Sequence, residues 1–115
     1  MIHNLTIGHL DPDAIADRQA VVQRPLDTQV VLRHLSALGQ VDGSGHWTLD
    51  GLPVELKDGY LVCRWLVGPR RNRVAEELAI RMNRETGCSL SDREHGRLVA
   101  VADLKGIAVG SRQAS

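Results

Sequence analysis

Two Asp-Gly pairs constrain the fold of this chain more than any other feature of its sequence. Asp50-Gly51 and Asp58-Gly59 each separate two extended, largely apolar segments. An Asp-Gly pair in that position favours a type I′ turn, because its positive φ angles match the natural twist of a β-hairpin. The two pairs therefore predict a three-stranded antiparallel β-meander over about 46–67.

The last strand of this meander is apolar on both of its faces. Leu61 and Cys63 alternate along the chain with Tyr60 and Val62, and alternate residues of a strand point to opposite sides of a sheet. The pattern predicts a central strand that is covered on both sides, or one whose second face lies in an interface.

A helix is predicted directly after the meander. Gly68-Pro69 ends the strand, the helix begins near Arg70 or Asn72, and Gly87 stands where a left-handed C′ residue is expected. An apolar stripe at helical spacing predicts the face that packs on the sheet. It consists of Ala75, Leu78, Ala79 and Met82.

The N-terminal part of the chain predicts one strand and two helices. Ile2 to Leu10 alternates as a strand does. Asp11 is placed to cap a short helix that runs to about Val22. A second helix is expected to start at the cap Asp27 and to end at a left-handed Gly39.

Together these elements predict an α+β fold, in the order β-α-α-β-β-β-α-β, with an antiparallel sheet that carries helices on one face. Residues 88–92 and 97–101 are expected to be extended, separated by a polar turn. We expect residues 1–104 to form a single domain and residues 105–115, which are rich in Gly, Ser and Ala, to form a flexible tail.

Composition limits the classes of function. The 14 basic and 14 acidic residues give no net charge, and Trp and Tyr supply only three aromatic side chains. Both features argue against a nucleic-acid partner. The N-terminus has no signal-peptide pattern, and no apolar run is long enough to span a membrane. Two cysteines do not make a disulfide framework in a domain of this size. These features predict a soluble cytoplasmic protein.

The candidate anion-binding or partner-binding residues are Arg70, Arg71 and Arg73, which gather at the predicted helix start. Backbone N–H groups and guanidinium groups there could hold a phosphate or a carboxylate. The competing interpretation is a solvated charged face, in which Glu76 and Glu77 pair with Arg73 and Arg81 across helical spacings and neutralise the patch. No glycine-rich phosphate loop precedes the cluster.

Trp47, Tyr60 and Arg64 are the candidate interface residues, and all three lie in the predicted meander. Aromatic side chains with a polar group, and arginine, are favoured at protein interfaces. The competing interpretation is that the aromatic residues fill a core that lacks phenylalanine.

No pattern of residues predicts catalysis, a metal site or a cofactor. His9, Asp11 and Asp13 lack the spacing of a known metal motif. Cys88 follows a helix C-terminus, where the dipole disfavours a thiolate. His95 lies in an ordinary polar turn.

The sequence thus favours a small soluble protein-interaction domain without catalytic activity, which is an adaptor, an inhibitor or immunity-type partner, or an oligomeric accessory protein. Its expected partner is another protein or a second copy of the chain. Two alternatives stay open: binding of nucleic acid or a phosphate ligand through Arg70 to Arg73, and a small enzyme with a pocket between sheet and helices.

Overall fold

The structure is a computed structural model of the chain, and it describes residues 2–17, 21–66, 72–92, 95–101 and 104. The elements within these ranges are eight strands and three helices. In chain order they are β1 (Ile2–Leu10), α1 (Pro12–Ile15), β2 (Val22–Arg24), α2 (Thr28–Leu38), β3 (Gln40–Val41), β4 (Trp47–Leu49), β5 (Leu52–Leu56), β6 (Leu61–Leu66), α3 (Arg73–Thr86), β7 (Ser89–Asp92) and β8 (Arg97–Leu98). The predicted α+β class is confirmed.

The strands form one antiparallel sheet in the order β3-β4-β5-β6-β1-β7-β8, and β2 pairs with the end of β1. β1 lies at the centre, where Leu5 is opposite Cys63 of β6 on one side and opposite Asp92 of β7 on the other. The predicted meander is β4-β5-β6, and its last strand is central as expected.

The two Asp-Gly turns differ in conformation. Asp50 and Gly51 both have positive φ, 53° and 80°, as a type I′ turn requires. At the second turn Gly59 has a φ of 87°, whereas Asp58 is not left-handed. The prediction of a type I′ turn is therefore wrong for the second pair. Leu26 N–H donates a hydrogen bond to the Gly59 carbonyl, so a neighbouring segment also shapes this turn.

The predicted first helix is wrong in length. Asp11 does cap α1, since its side chain accepts from Asp13 N–H, but α1 ends at Ile15 and Val22 begins β2. Strand β2 pairs with His9 and Leu10 of β1. Pairing with an existing strand edge thus overrides the weak helical pattern of this segment.

The second helix has its predicted start but not its predicted end. Asp27 accepts from Gln29 N–H as the N-cap. Gly39 is extended, with a φ of −109°, instead of left-handed. The chain passes straight from α2 into β3.

Helices α2 and α3 cover one face of the sheet, which we call the inner face. The buried residues of α3 include the four that the sequence predicted, and Gly87 is left-handed as expected. The inner-face core is Leu5, Ile7, Leu26, Val31, Leu35, Leu49, Val54, Leu61, Cys63, Ala75, Leu78, Ala79, Ile80, Met82, Cys88, Leu90 and Leu104. No helix among the described residues is long and apolar enough to cross a membrane.

Candidate interaction surface

The second face of the sheet, which we call the outer face, is only partly covered. Over β1 and β7 it is closed, since Thr6 and Ser91 are buried, and α1 packs beside β8. Over β5 and β6 the outer face is open to solvent. Of the two alternatives for the last meander strand, coverage on both sides therefore does not hold over β5 and β6, and a second face in an interface stays a prediction.

The open part of the outer face forms a shallow depression of about 200 Å³. We call this surface the open face, and it is lined by Asn4, Pro53, Glu55, Lys57, Val62 and Arg64. Strand alternation explains the set, because the even-numbered residues of β6 and the odd-numbered residues of β5 share this side. The depression thus has rigid strands as its floor.

Arg64 is the exposed cation of the open face. Its backbone carbonyl accepts a hydrogen bond from the side chain of Asn72, which also donates to the Leu49 carbonyl. Within the described part of the chain the Arg64 guanidinium forms no ion pair. A cation on a fixed strand, with its donors directed to solvent, can grip a carboxylate in a bidentate manner.

Glu55 and Lys57 form the second charged group on the open face. Lys57 Nζ lies 2.6 Å from Glu55 Oε2, and both side chains are exposed. The hydrogen bond from Lys57 and its charge lower the pKa of Glu55, and the positive charge of Arg64 lowers it further. The open face therefore carries an anion next to an arginine that forms no ion pair with the described residues.

The other two interface candidates lie on opposite sides of the sheet. Tyr60 is half-buried at the start of β6, where its Cβ lies so close to Gly8 that a Cβ added to Gly8 would be 2.9 Å away. Trp47 is half-buried on the inner side and packs against the core. The structure thus places Tyr60, directly before β6, on the same face as Arg64 of β6, and it places Trp47 with the core.

The arginine cluster is described only in part. Arg70 and Arg71 lie outside the described residues, as does the side chain of Trp65, and Arg73 is exposed at the first position of α3. Glu77 pairs with Arg81 at 3.0 Å, as the charged-face interpretation expects. Glu76, in contrast, is 5% exposed and so does not belong to a solvated face.

Asn72 stabilises the fold through several hydrogen bonds, whereas the sequence predicted only that a helix begins near it. It is 2% exposed, and its side-chain oxygen accepts from Ala75 N–H as the N-cap of α3. With its two donated bonds to Leu49 and Arg64, it ties three elements together. The capping position was readable from the sequence, but the partners across the fold were not.

His95 makes a more specific contact than we expected for a residue in a polar turn. Its Nδ1 lies 2.9 Å from Oδ2 of Asp92, whose side chain is fully buried. Arg97 Nη2 lies 3.7 Å from the same oxygen. The carboxylate orients the imidazole, which is the geometry that acid–base chemistry uses, but it also holds the two ends of the β7–β8 hairpin together.

Three depressions on the described surface are large enough to consider as pockets, and none of these three is lined by a histidine. No group of three metal-ligating side chains occurs among the described residues. Burial raises the pKa of the Cys63 thiol to about 12 and also raises that of Cys88. Both thiols are therefore poor nucleophiles.

Comparison of the chain with protein-family models, with curated proteins and with solved structures gives no match. The open face is therefore the feature of the structure from which we infer a function.

Proposed function

We propose that this chain is a small protein-interaction domain without catalytic activity, which binds through the open face. It serves as an adaptor, an inhibitor or immunity-type partner, or a self-associating accessory protein. The observation that supports this most is the exposed guanidinium of Arg64, which has no ion-pair partner among the described residues and lies on a sheet whose inner face is fully packed.

The chemistry of the open face supports a protein partner that presents a carboxylate. Arginine is enriched among the residues that dominate binding energy, because its planar group makes several directed hydrogen bonds. Val62 and Pro53 provide apolar contact beside it. A surface that combines apolar and charged side chains in this way is typical of protein interfaces.

We also propose that the protein is cytoplasmic and that it binds neither membranes nor nucleic acid. The free state of Cys63 and Cys88 supports a reducing compartment. The balanced charge of the chain supports the exclusion of nucleic acid.

Affinity capture tests this function with four versions of the tagged protein. These are the unaltered chain, Arg64→Glu, Arg73→Glu and Arg81→Glu, each incubated with lysate of the native host that also contains an untagged copy of the chain. Arg81 is the matched control, since it is a partly exposed arginine on α3 rather than on the outer face. Circular dichroism confirms that each variant is folded.

We expect the unaltered chain and Arg81→Glu to retain the same bound protein, and Arg64→Glu to retain about tenfold less or lower. Loss of binding with Arg73→Glu alone would move the site to the helix start. Equal retention by all four versions, or retention of no protein at all, would contradict the proposal.

A further inference from the structure

The charges of the open face are arranged so that the surface is complementary to itself. Glu55 of β5 is opposite Val62 of β6, and continuing this register places Pro53 opposite Arg64. The four residues are therefore the corners of one oblong patch on the outer face. Glu55 and Arg64 occupy one diagonal of this patch, and Pro53 and Val62 occupy the other.

A two-fold axis along the Pro53–Val62 diagonal brings each charged corner close to the opposite charged corner of the other copy, within reach of the long Glu and Arg side chains. When a second copy lies face to face with the first, its Glu55 meets Arg64, and its Arg64 meets Glu55. Pro53 and Val62, which lie on the axis, each meet their own counterpart. An interface of this kind is isologous, because the same patch serves both subunits.

The exposure and the ion pairing of Arg64 and Glu55 both allow such a contact between two copies. Arg64 is exposed and forms no ion pair within the described part of the chain, so it has bonding capacity for a carboxylate. Glu55 is bound on one oxygen by Lys57, but 60% of its side-chain surface is exposed. A carboxylate has two oxygens and accepts several hydrogen bonds, so it can hold an arginine as well.

We propose that the partner of the open face is a second copy of this chain, held by two reciprocal Glu55–Arg64 ion pairs around a Pro53–Val62 axis. This inference rests on the proposed function and names the occupant of the same surface. It requires only residues that the structure describes.

Charge reversal tests the pairing because the two positions are interchangeable. Glu55→Arg and Arg64→Glu each place like charges opposite each other in a homodimer, and like-charge contact in an interface costs affinity. A mixture of the two variants restores both opposite-charge contacts, and so does the double variant. The matched control reverses Glu77 and Arg81, an exposed ion pair on α3.

Sedimentation velocity on the purified proteins over a series of concentrations gives the dimer dissociation constant. We expect the unaltered chain and the Glu77/Arg81 controls to dimerise alike, and each single reversal to weaken dimerisation about tenfold or more. The equimolar mixture of the two single variants should dimerise again. The double variant should do the same.

Two results would overturn the inference: a monomeric unaltered chain at every concentration, or single reversals that dimerise as the unaltered chain does. Dimerisation of single reversals that mixing does not improve would also reject this pairing. A purified monomer that still captures another protein through Arg64 would remove the self-association and leave the proposed function intact.

Discussion

At the scale of single residues, Gly39 shows that a glycine can be required because backbone atoms lie close to it, and not because its φ is positive. Its position after a helix predicts a left-handed conformation, yet its backbone is extended. A Cβ at this position would lie 2.7 Å from the carbonyl oxygen of Thr48 and 3.1 Å from that of Leu35. Close approach of backbone, rather than a positive φ, therefore requires glycine here.

Replacing Gly39 by alanine should lower the free energy of unfolding by about 1–3 kcal/mol, which is the usual cost of adding a methyl group to a filled site. Gly43→Ala is the control, because a Cβ there contacts nothing within 4 Å and its φ is not positive. That control should be neutral or stabilising by up to about 1 kcal/mol. Urea unfolding measures both, and equal effects would contradict the steric explanation.

Residue-level chemistry made the local predictions that succeeded. Asp11 and Asp27 cap their helices, Gly87 is left-handed, and Asp50-Gly51 forms the expected turn. In each case the backbone groups to be satisfied lie within a few residues of the side chain that satisfies them. The prediction of a left-handed Gly39 is wrong because atoms of another strand, distant in sequence, determine its conformation.

At the scale of elements, a charged cluster joins the two long helices across the inner layer. Glu85 of α3 lies 2.6 Å from Arg33 and 2.8 Å from His34, both on α2. The hydrogen bond from His34 lowers the pKa of Glu85, and the hydrogen bond and charge of Arg33 lower it further. The cluster thus fixes how the two helices lie against each other.

The α2–α3 cluster predicts a stability that depends on pH. Because the pKa of Glu85 is lower in the folded state than its ordinary value of 4.5, its contribution is complete above that value and is lost as the pH falls through the folded pKa. The difference in free energy of unfolding between the unaltered chain and Glu85→Gln should therefore be constant above that ordinary value and should shrink as the pH falls below it. Urea unfolding over this range measures it.

Glu77→Gln is the control for this pH dependence. Glu77 pairs with Arg81 of its own helix, four residues away, and such exposed pairs contribute little to stability. The control should show a small difference at every pH. A Glu85→Gln difference that persists at low pH would mean that packing, and not the carboxylate charge, couples the helices.

The sequence predicted an element well where the element has a strong local pattern of its own. It predicted an element poorly where the element forms only because a partner strand pairs with it. The meander and α3 have strong turn chemistry or a clear apolar stripe, and both are present. β2 and β3 are three and two residues long, and they exist because a partner strand lies beside them. Of the residues that line the open face, the sequence named Arg64 as a candidate. Which part of the sheet stays uncovered depends on contacts between distant segments, which local patterns do not position.

At the scale of the whole molecule, both thiols are sealed inside the inner layer. Cys63 and Cys88 are 0% and 1% exposed, and burial raises the pKa of each thiol. In the native protein neither should react with a thiol reagent at about pH 8 faster than the protein opens. Denaturant should expose both.

Mass spectrometry of alkylated protein, with and without urea, checks this expectation. The urea-treated sample is the control and should carry two labels. Rapid labelling of one cysteine in the native sample would mean that the layer around that residue opens locally, without unfolding of the whole.

The central position of β1 has a consequence for how the protein is made. The first described strand pairs with residues 61–66 on one side and with residues 89–92 on the other. On the ribosome, both edges of β1 can therefore pair only after residues 61–66 and 89–92 have been synthesised. Contacts between such distant segments slow folding, so a chaperone that shields β1 in the meantime would raise the yield of folded protein.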